Sequence, residues 1–182
     1  MKARDTTILM TIYYLALRPK EACSLRFDDF DLKRMVVKIR AETNKQHKER
    51  EIPLPEQLFS YLQNYLTLSR TRFWRGSPFL FPSFESNCIS SQHWKYTFRE
   101  KILKPAGLWR PPEHPETGNR TSPFRSYTLR HTRATELLNK TKDIFLVANV
   151  LGHAKLSSTK VYLHKTDDYV EYMRRCLSQS SN

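Results

Sequence analysis

The sequence predicts an α+β domain, mostly helical, with one small antiparallel β-sheet. Three observations carry this. Apolar residues recur at helical spacing in several separate stretches. Two short runs, residues 35–40 and 50–54, alternate or are β-branched and flank a polar turn. Over 182 residues, 39% are hydrophobic and 12% aromatic, enough for one domain with a real core and too apolar for a disordered chain.

Taken in order, Ile8, Ile12 and Leu15, with Leu9, Tyr13 and Ala16 alongside, form the first helical face. Asp5, Thr6 or Thr7 caps its start. Pro19 ends it, because a residue before proline is driven out of the α region. Arg18 therefore stands at a helix break, projecting from a corner. A short helix from Pro19 to about Leu25 follows, with proline at its first position. Residues 35–40 and 50–54 form a hairpin whose tip reads AETNKQHKE, and Pro53 marks an edge strand or a strand end. Residues 55 to about 70 form an amphipathic helix burying Leu58, Leu62, Tyr65 and Leu66.

Residues 73–87 are a loop rich in aromatics and proline, anchored by a strand at Phe79-Leu80-Phe81. Ser90 or Ser91 caps a helix through about Lys104, with Trp94, Phe98 and Ile102 on one face. Trp94 fits either the core or a base stack. The opposite face carries Lys95, Arg99, Lys101 and Lys104, suited to phosphate contacts. Residues 108–122, with Pro111, Pro112, Pro115, Gly118 and Asn119, make the longest loop. Two further helices follow. Leu129, Ala134, Leu137 and Leu138 line the first, and Ile144, Leu146, Val147, Val150 and Leu151 line the second. Gly152 suits the left-handed position that closes the latter. Ser157 or Ser158 caps a short helix bearing Tyr162, and a tail helix over about 167–178 shows the stripe Val170, Met173, Leu177.

Charge narrows the partner. Lys and Arg outnumber Asp and Glu by 31 to 18, a net +13, which points to a polyanion and most simply to nucleic acid. Charge alone also fits a basic surface without a ligand. Cys23, Cys88 and Cys176 lie far apart with no CxxC pair and no zinc spacing, as expected of a reduced, cytoplasmic setting. No apolar run reaches the roughly 18 residues of a membrane span, and MKARDTT carries no signal-peptide core.

The stretch from Ser126 to Tyr162 holds the densest signal. Arg130-His131 opens one helical segment, Leu151-Gly152-His153 closes the next, and Tyr162 follows nine positions later. In types, order and spacing this resembles the second catalytic box of the tyrosine recombinases, the phage-integrase family: His-x-x-Arg-His, then Leu-Gly-His, then a nucleophilic Tyr. One position departs, since Tyr127 stands where that family usually has His. Tyr127, Arg130 and His131 share a face if their helix begins by Tyr127. Residues 17–29, LRPKEACSLRFDD, resemble the first box, which carries the first catalytic Arg, here Arg18, and a supporting Glu, here Glu21. That family places its catalytic Lys on the hairpin; counting back from Ile52-Pro53-Leu54 gives Lys45, with Lys48 the other lysine there.

What the resemblance implies is a tyrosine-recombinase catalytic domain that cuts and rejoins DNA. Arg18, Arg130 and His153 would clamp the phosphate, Tyr162 would attack it, and Lys45 would protonate the leaving oxygen. Tyr127 would donate one hydrogen bond, and Glu21 and His131 would support. No metal or other cofactor is required, because side chains supply the positive charge. The expected partner is double-stranded DNA, contacted also by Lys48, Lys95, Arg99 and Lys101, with self-association through the tail. The resemblance runs from Arg4 to about Arg175 and does not include that family's N-terminal core-binding domain, so residues 1–182 are expected to be a single catalytic domain. A type IB topoisomerase shares this chemistry without site choice, and a DNA-binding module without catalysis is the third reading.

Overall fold

The computed structural model describes residues 3–44, 47–69, 76–83, 88–109, 124–153 and 158–159. Along them run α1 (Ala3–Tyr14), α2 (Pro19–Cys23), β1 (Phe30–Asp31), β2 (Val36–Ile39), β3 (Arg50–Pro53), α3 (Glu56–Ser69), α4 (Ser91–Phe98), α5 (Ser126–Thr141) and α6 (Ile144–Leu151). The strands form one antiparallel sheet in the order β1-β2-β3, with Val37 opposite Ile52 and Ile39 opposite Arg50. The mostly helical α+β architecture is thus as the sequence predicts. β1, two residues long, is an addition that no alternation signals. Pro53 closes β3, an edge strand, where its missing N–H leaves no ladder bond unmade.

Helix α1 lies against both α3 and α5. Ile8, Ile12 and Leu15 meet Leu58, Leu62 and Tyr65, and the inward side of the sheet adds Val37, Ile39 and Ile52. Trp94 is fully enclosed in this core, so it is a packing residue. A second cluster, Ala16, Ala134, Leu138, Val147 and Leu151, joins the end of α1 to α5 and α6. Among the described residues no helix is long and apolar enough to cross a membrane.

Some local outcomes differ from expectation. Helix α1 stops at Tyr14, well before Pro19. Ala16 takes a left-handed φ of 49°, its N–H reaches the Tyr13 carbonyl at 3.1 Å, and the Leu17 N–H reaches Ile12 at 3.1 Å. This is the Schellman ending, made here without glycine. Such a conformation costs an L-residue roughly 1–2 kcal/mol and persists where packing over-determines it; Ala16 is completely buried. The segment Phe79-Leu80-Phe81 anchors its loop but is no strand of the sheet. Phe79 makes one bridge to Arg26, Leu80 N–H donates to the Leu25 carbonyl at 2.8 Å, and the side chains of Leu80 and Phe81 fill the core.

Helix α1 already begins at Ala3, so Asp5, Thr6 and Thr7 lie inside it and none caps it, whereas α4 and α6 open on regular caps. Ser90 accepts from the His93 N–H at 3.1 Å and opens α4, which ends in a π-helical turn over Arg99–Leu103. Asp143 accepts from the N–H groups of Phe145 and Leu146 to open α6, and Gly152 closes it at φ 61°.

The α1–α3 seam sets the size of a packing test. Ile12→Ala is expected to cost about 2–5 kcal/mol in urea unfolding. Leu68→Ala, on the exposed side of α3, should stay within about 0.5 kcal/mol.

Candidate active site

The site is built around one carboxylate. Glu21 lies in α2, two residues after Pro19 has started that helix, and its side chain is entirely enclosed. Its Oε2 accepts the Arg18 backbone N–H at 2.7 Å, which caps the helix, while Oε1 lies 3.2 Å from the Arg18 guanidinium. Arg50, from the first position of β3, donates to both oxygens at 3.1 and 3.2 Å. Arg130, from the second turn of α5, places Nη1 3.6 Å from Oε2. Three guanidiniums therefore converge on one carboxylate, an arrangement with two positive charges left over.

Backbone carbonyls aim these arginines. Arg130 donates from Nη1 to Ala16 at 2.8 Å and from Nη2 to Leu151 at 2.7 Å; Arg50 donates from Nε to Val150 at 3.0 Å. Val150 and Leu151 are the last residues of α6, whose terminal carbonyls lack helical partners and carry its negative dipole end. The Ala16 carbonyl belongs to the left-handed residue that ends α1. Gly152 is needed on two grounds: its φ is positive, and a Cβ there would stand 2.9 Å from Nη1 of Arg50.

Immediately after Gly152, His153 turns toward the same centre. Its Nε2 is 3.4 Å from Nη2 of Arg130, and its Nδ1 is 2.9 Å from the hydroxyl of Thr159. Burial, then the charges of Arg130, Arg18 and Arg50, push His153 down from 6.5 to about 4. The ring is neutral at pH 7. Because the unfolded chain takes up that proton first, this group's contribution to stability is full above about 6.5 and falls as pH drops toward 4. Burial pushes Glu21 upward, but the hydrogen bonds and charge of Arg50 outweigh it and hold the carboxyl below its usual value. Burial, then the charge of Arg18, lowers Arg130 to about 10 against the pull of Glu21, so it remains cationic.

Of the residues named from sequence, the structure brings Arg18, Glu21, Arg130 and His153 together. Helix α5 begins at Ser126, so Tyr127, Arg130 and His131 do share its face. Tyr127 is 38% exposed, with its ring edge-on to His131 at 4.7 Å and 5.9 Å from Cζ of Arg130. Lys45, Tyr162 and the tail lie outside the described residues. The hairpin neck beside Lys45 is held by Asn44, whose Nδ2 donates to the carbonyls of Arg40 and Lys48 at 2.9 Å each. Lys48 lines a cavity of about 200 Å³ together with Asn44, Arg50, Gly152 and His153. On the separate α4 face, Lys95, Arg99 and Lys101 are exposed. Arg99 is tied to Glu100 at 2.7 Å, while Lys95 and Lys101 form no ion pair among the described residues.

Sequence reasoning missed Arg50 and Thr159. For Arg50 a signal existed: it shares strand parity with Ile52 and Leu54, so its side chain had to point with theirs into the domain. For Thr159 no local pattern distinguishes a buried hydroxyl from a surface one.

Comparison with known proteins agrees with this geometry. Residues 1–168 match the model of the phage integrase family. The chain is 35% identical over 163 residues to tyrosine recombinase XerD of Pseudomonas aeruginosa, covering 88% of this chain and 49% of that protein. It is 31% identical over 170 residues to tyrosine recombinase XerA of Pyrococcus furiosus, covering 93% and 53%. Among solved structures, XerA recombinase superposes with a TM-score of 0.72 at 25% identity, covering 100% of this chain and 58% of that one. XerH site-specific recombinase bound to difH substrate, in a pre-cleavage complex, gives 0.68 at 27%, covering 89% and 43%. A mostly helical fold with a small hairpin sheet, and a cluster of arginines around one buried carboxylate, define the class. The chain belongs to the phage integrase family. It spans about half the length of the curated relatives it matches.

The charge arrangement predicts an asymmetry. Glu21→Gln leaves three buried or half-buried guanidiniums without their counter-charge and should lower unfolding free energy by about 3–5 kcal/mol in urea titrations. A loss below about 1 kcal/mol would show that the arginines do not depend on Glu21.

Proposed function

We propose that this chain is the catalytic domain of a site-specific DNA recombinase or integrase, acting on double-stranded DNA through a 3′-phosphotyrosyl intermediate. The observation that carries this reading is the convergence of Arg18, Arg50 and Arg130 on Glu21, with two uncompensated positive charges and His153 beside Arg130. Phosphoryl transfer builds negative charge on the non-bridging oxygens of phosphorus. Fixed guanidinium donors in a water-poor site stabilise that charge without reorganising, and losing one costs roughly 10²–10³ in rate. XerH solved with its difH substrate supports a DNA phosphate as the anion.

In the proposed reaction the hydroxyl oxygen of Tyr162 bonds to phosphorus, its proton passing to solvent, and the bond to the 5′ oxygen breaks. Lys45 gives its proton to that leaving oxygen. The phosphotyrosine keeps the bond energy, so religation to a second 5′ hydroxyl needs no nucleotide. Arg18, Arg130 and His153 hold the phosphate. Tyr127 adds one neutral hydrogen bond, without the charge a protonated His would bring. Lys48 borders the cavity beside His153, and Lys95, Arg99 and Lys101 form a second backbone-contacting face. Lys45 and Tyr162 take their roles from motif position.

The test is covalent capture. A nicked duplex built on an inverted repeat beside the chain's own gene loses its short 5′-hydroxyl fragment after cleavage, and the adduct accumulates. It should survive denaturing gels and form in EDTA. Tyr162→Phe should abolish it with binding nearly unchanged. Peptide mapping that places the DNA on another residue, or an adduct that needs Mg²⁺, overturns the mechanism.

The tail belongs to the same proposal. The stripe Val170, Met173, Leu177 needs an apolar partner surface, which a neighbouring protomer supplies in this reading. Deleting residues 167–182 should leave cleavage at least partly intact and impair assembly on paired sites. Unchanged assembly would show that the tail acts within its own protomer.

A further inference from the structure

His153 faces a conflict that its own side chain does not resolve. A neutral imidazole has one N–H donor and one lone pair. A guanidinium only donates, so the contact from Nη2 of Arg130 at 3.4 Å calls for a lone pair on Nε2 and places the ring proton on Nδ1. A phosphate oxygen at Nε2 calls for the opposite, because it only accepts. One ring therefore has to present a lone pair in the free protein and an N–H in the complex.

The group on the other side of the ring is a hydroxyl, that of Thr159, 2.9 Å from Nδ1 on a residue with no solvent exposure. A hydroxyl both donates and accepts. A carboxylate at that place would only accept and would favour a charged imidazolium beside Arg18, Arg50 and Arg130. A backbone N–H would only donate and would fix one tautomer for good.

We propose that Thr159 is a positioning residue whose hydroxyl lets His153 exchange tautomers. It accepts from Nδ1–H in the free protein and donates to Nδ1 when a phosphate occupies the site, so that Nε2–H faces the anion. The ring loses a proton at Nδ1 to solvent and gains one at Nε2, and stays neutral throughout. This rests on the reading of the site as one for a DNA phosphate, and it adds a residue that touches neither DNA nor the reacting atoms.

Nitrogen NMR of the histidine rings, with His153→Gln to assign the signals, separates the two ring states. In the free chain Nδ1 of His153 should carry the proton; with the nicked duplex bound to the Tyr162→Phe variant, Nε2 should carry it. A proton on Nε2 already in the free chain, or a lone pair there in the complex, overturns the proposal. Kinetics give a second reading. Thr159→Val should slow adduct formation about tenfold at saturating DNA, the loss of one hydrogen bond, with unchanged DNA affinity. Thr159→Ser should restore the rate. In a His153→Ala background Thr159→Val should add no further loss; an equal loss in both backgrounds makes Thr159 a packing residue only and overturns the role. If the unaltered chain forms no adduct at all, the recombinase reading fails, while the ring signals of the free chain still decide the role of Thr159.

Discussion

The buried carboxylate of Glu21 is the constraint on which the rest of the site depends. An isolated carboxylate taken out of water is costly, and so is each guanidinium. Brought together from α2, β3 and α5, they compensate one another and tie three distant parts of the chain to one point. Arg50 and Arg130 then extend past Glu21 to the carbonyls that end α6, and Arg130 also reaches the carbonyl that follows α1. The fold and the site are in this sense one network. The helix ends that need donors are the same ones that fix where the arginines point.

That network also explains features that look like local irregularities. Ala16 accepts a left-handed backbone because packing on Ala134 and Leu138 and the donation from Arg130 hold it there. Gly152 leaves room for the guanidinium of Arg50, and its positive φ swings His153 back toward Arg130. Asn44 ties the two sides of the β2–β3 connection together through the carbonyls of Arg40 and Lys48. An excess of positive charge surrounds a histidine whose ring, pushed down to about 4 by burial and by that charge, is neutral at pH 7.

The sequence by itself determined a good deal. Among the described residues, the cores of the helices, the Pro19 start, the serine cap at Ser90 and the glycine at 152 are local signals, set by backbone sterics and by spacing within a few residues, and they are found where expected, the end of α1 excepted. Arg18, Glu21, Arg130 and His153 were singled out by the resemblance of two stretches of sequence to the family's catalytic boxes. Only the tertiary structure decided the rest. Arg50 meets Glu21 across 29 positions of chain, and Thr159 meets His153 only after α6 has turned through Gly152. The early end of α1 depends on neighbours that α5 and α6 supply, so Pro19 was a poor guide to it. Hydrogen bonds and ion pairs between elements carry no periodicity, and which buried polar groups find each other is settled by packing, not by any pattern along the chain.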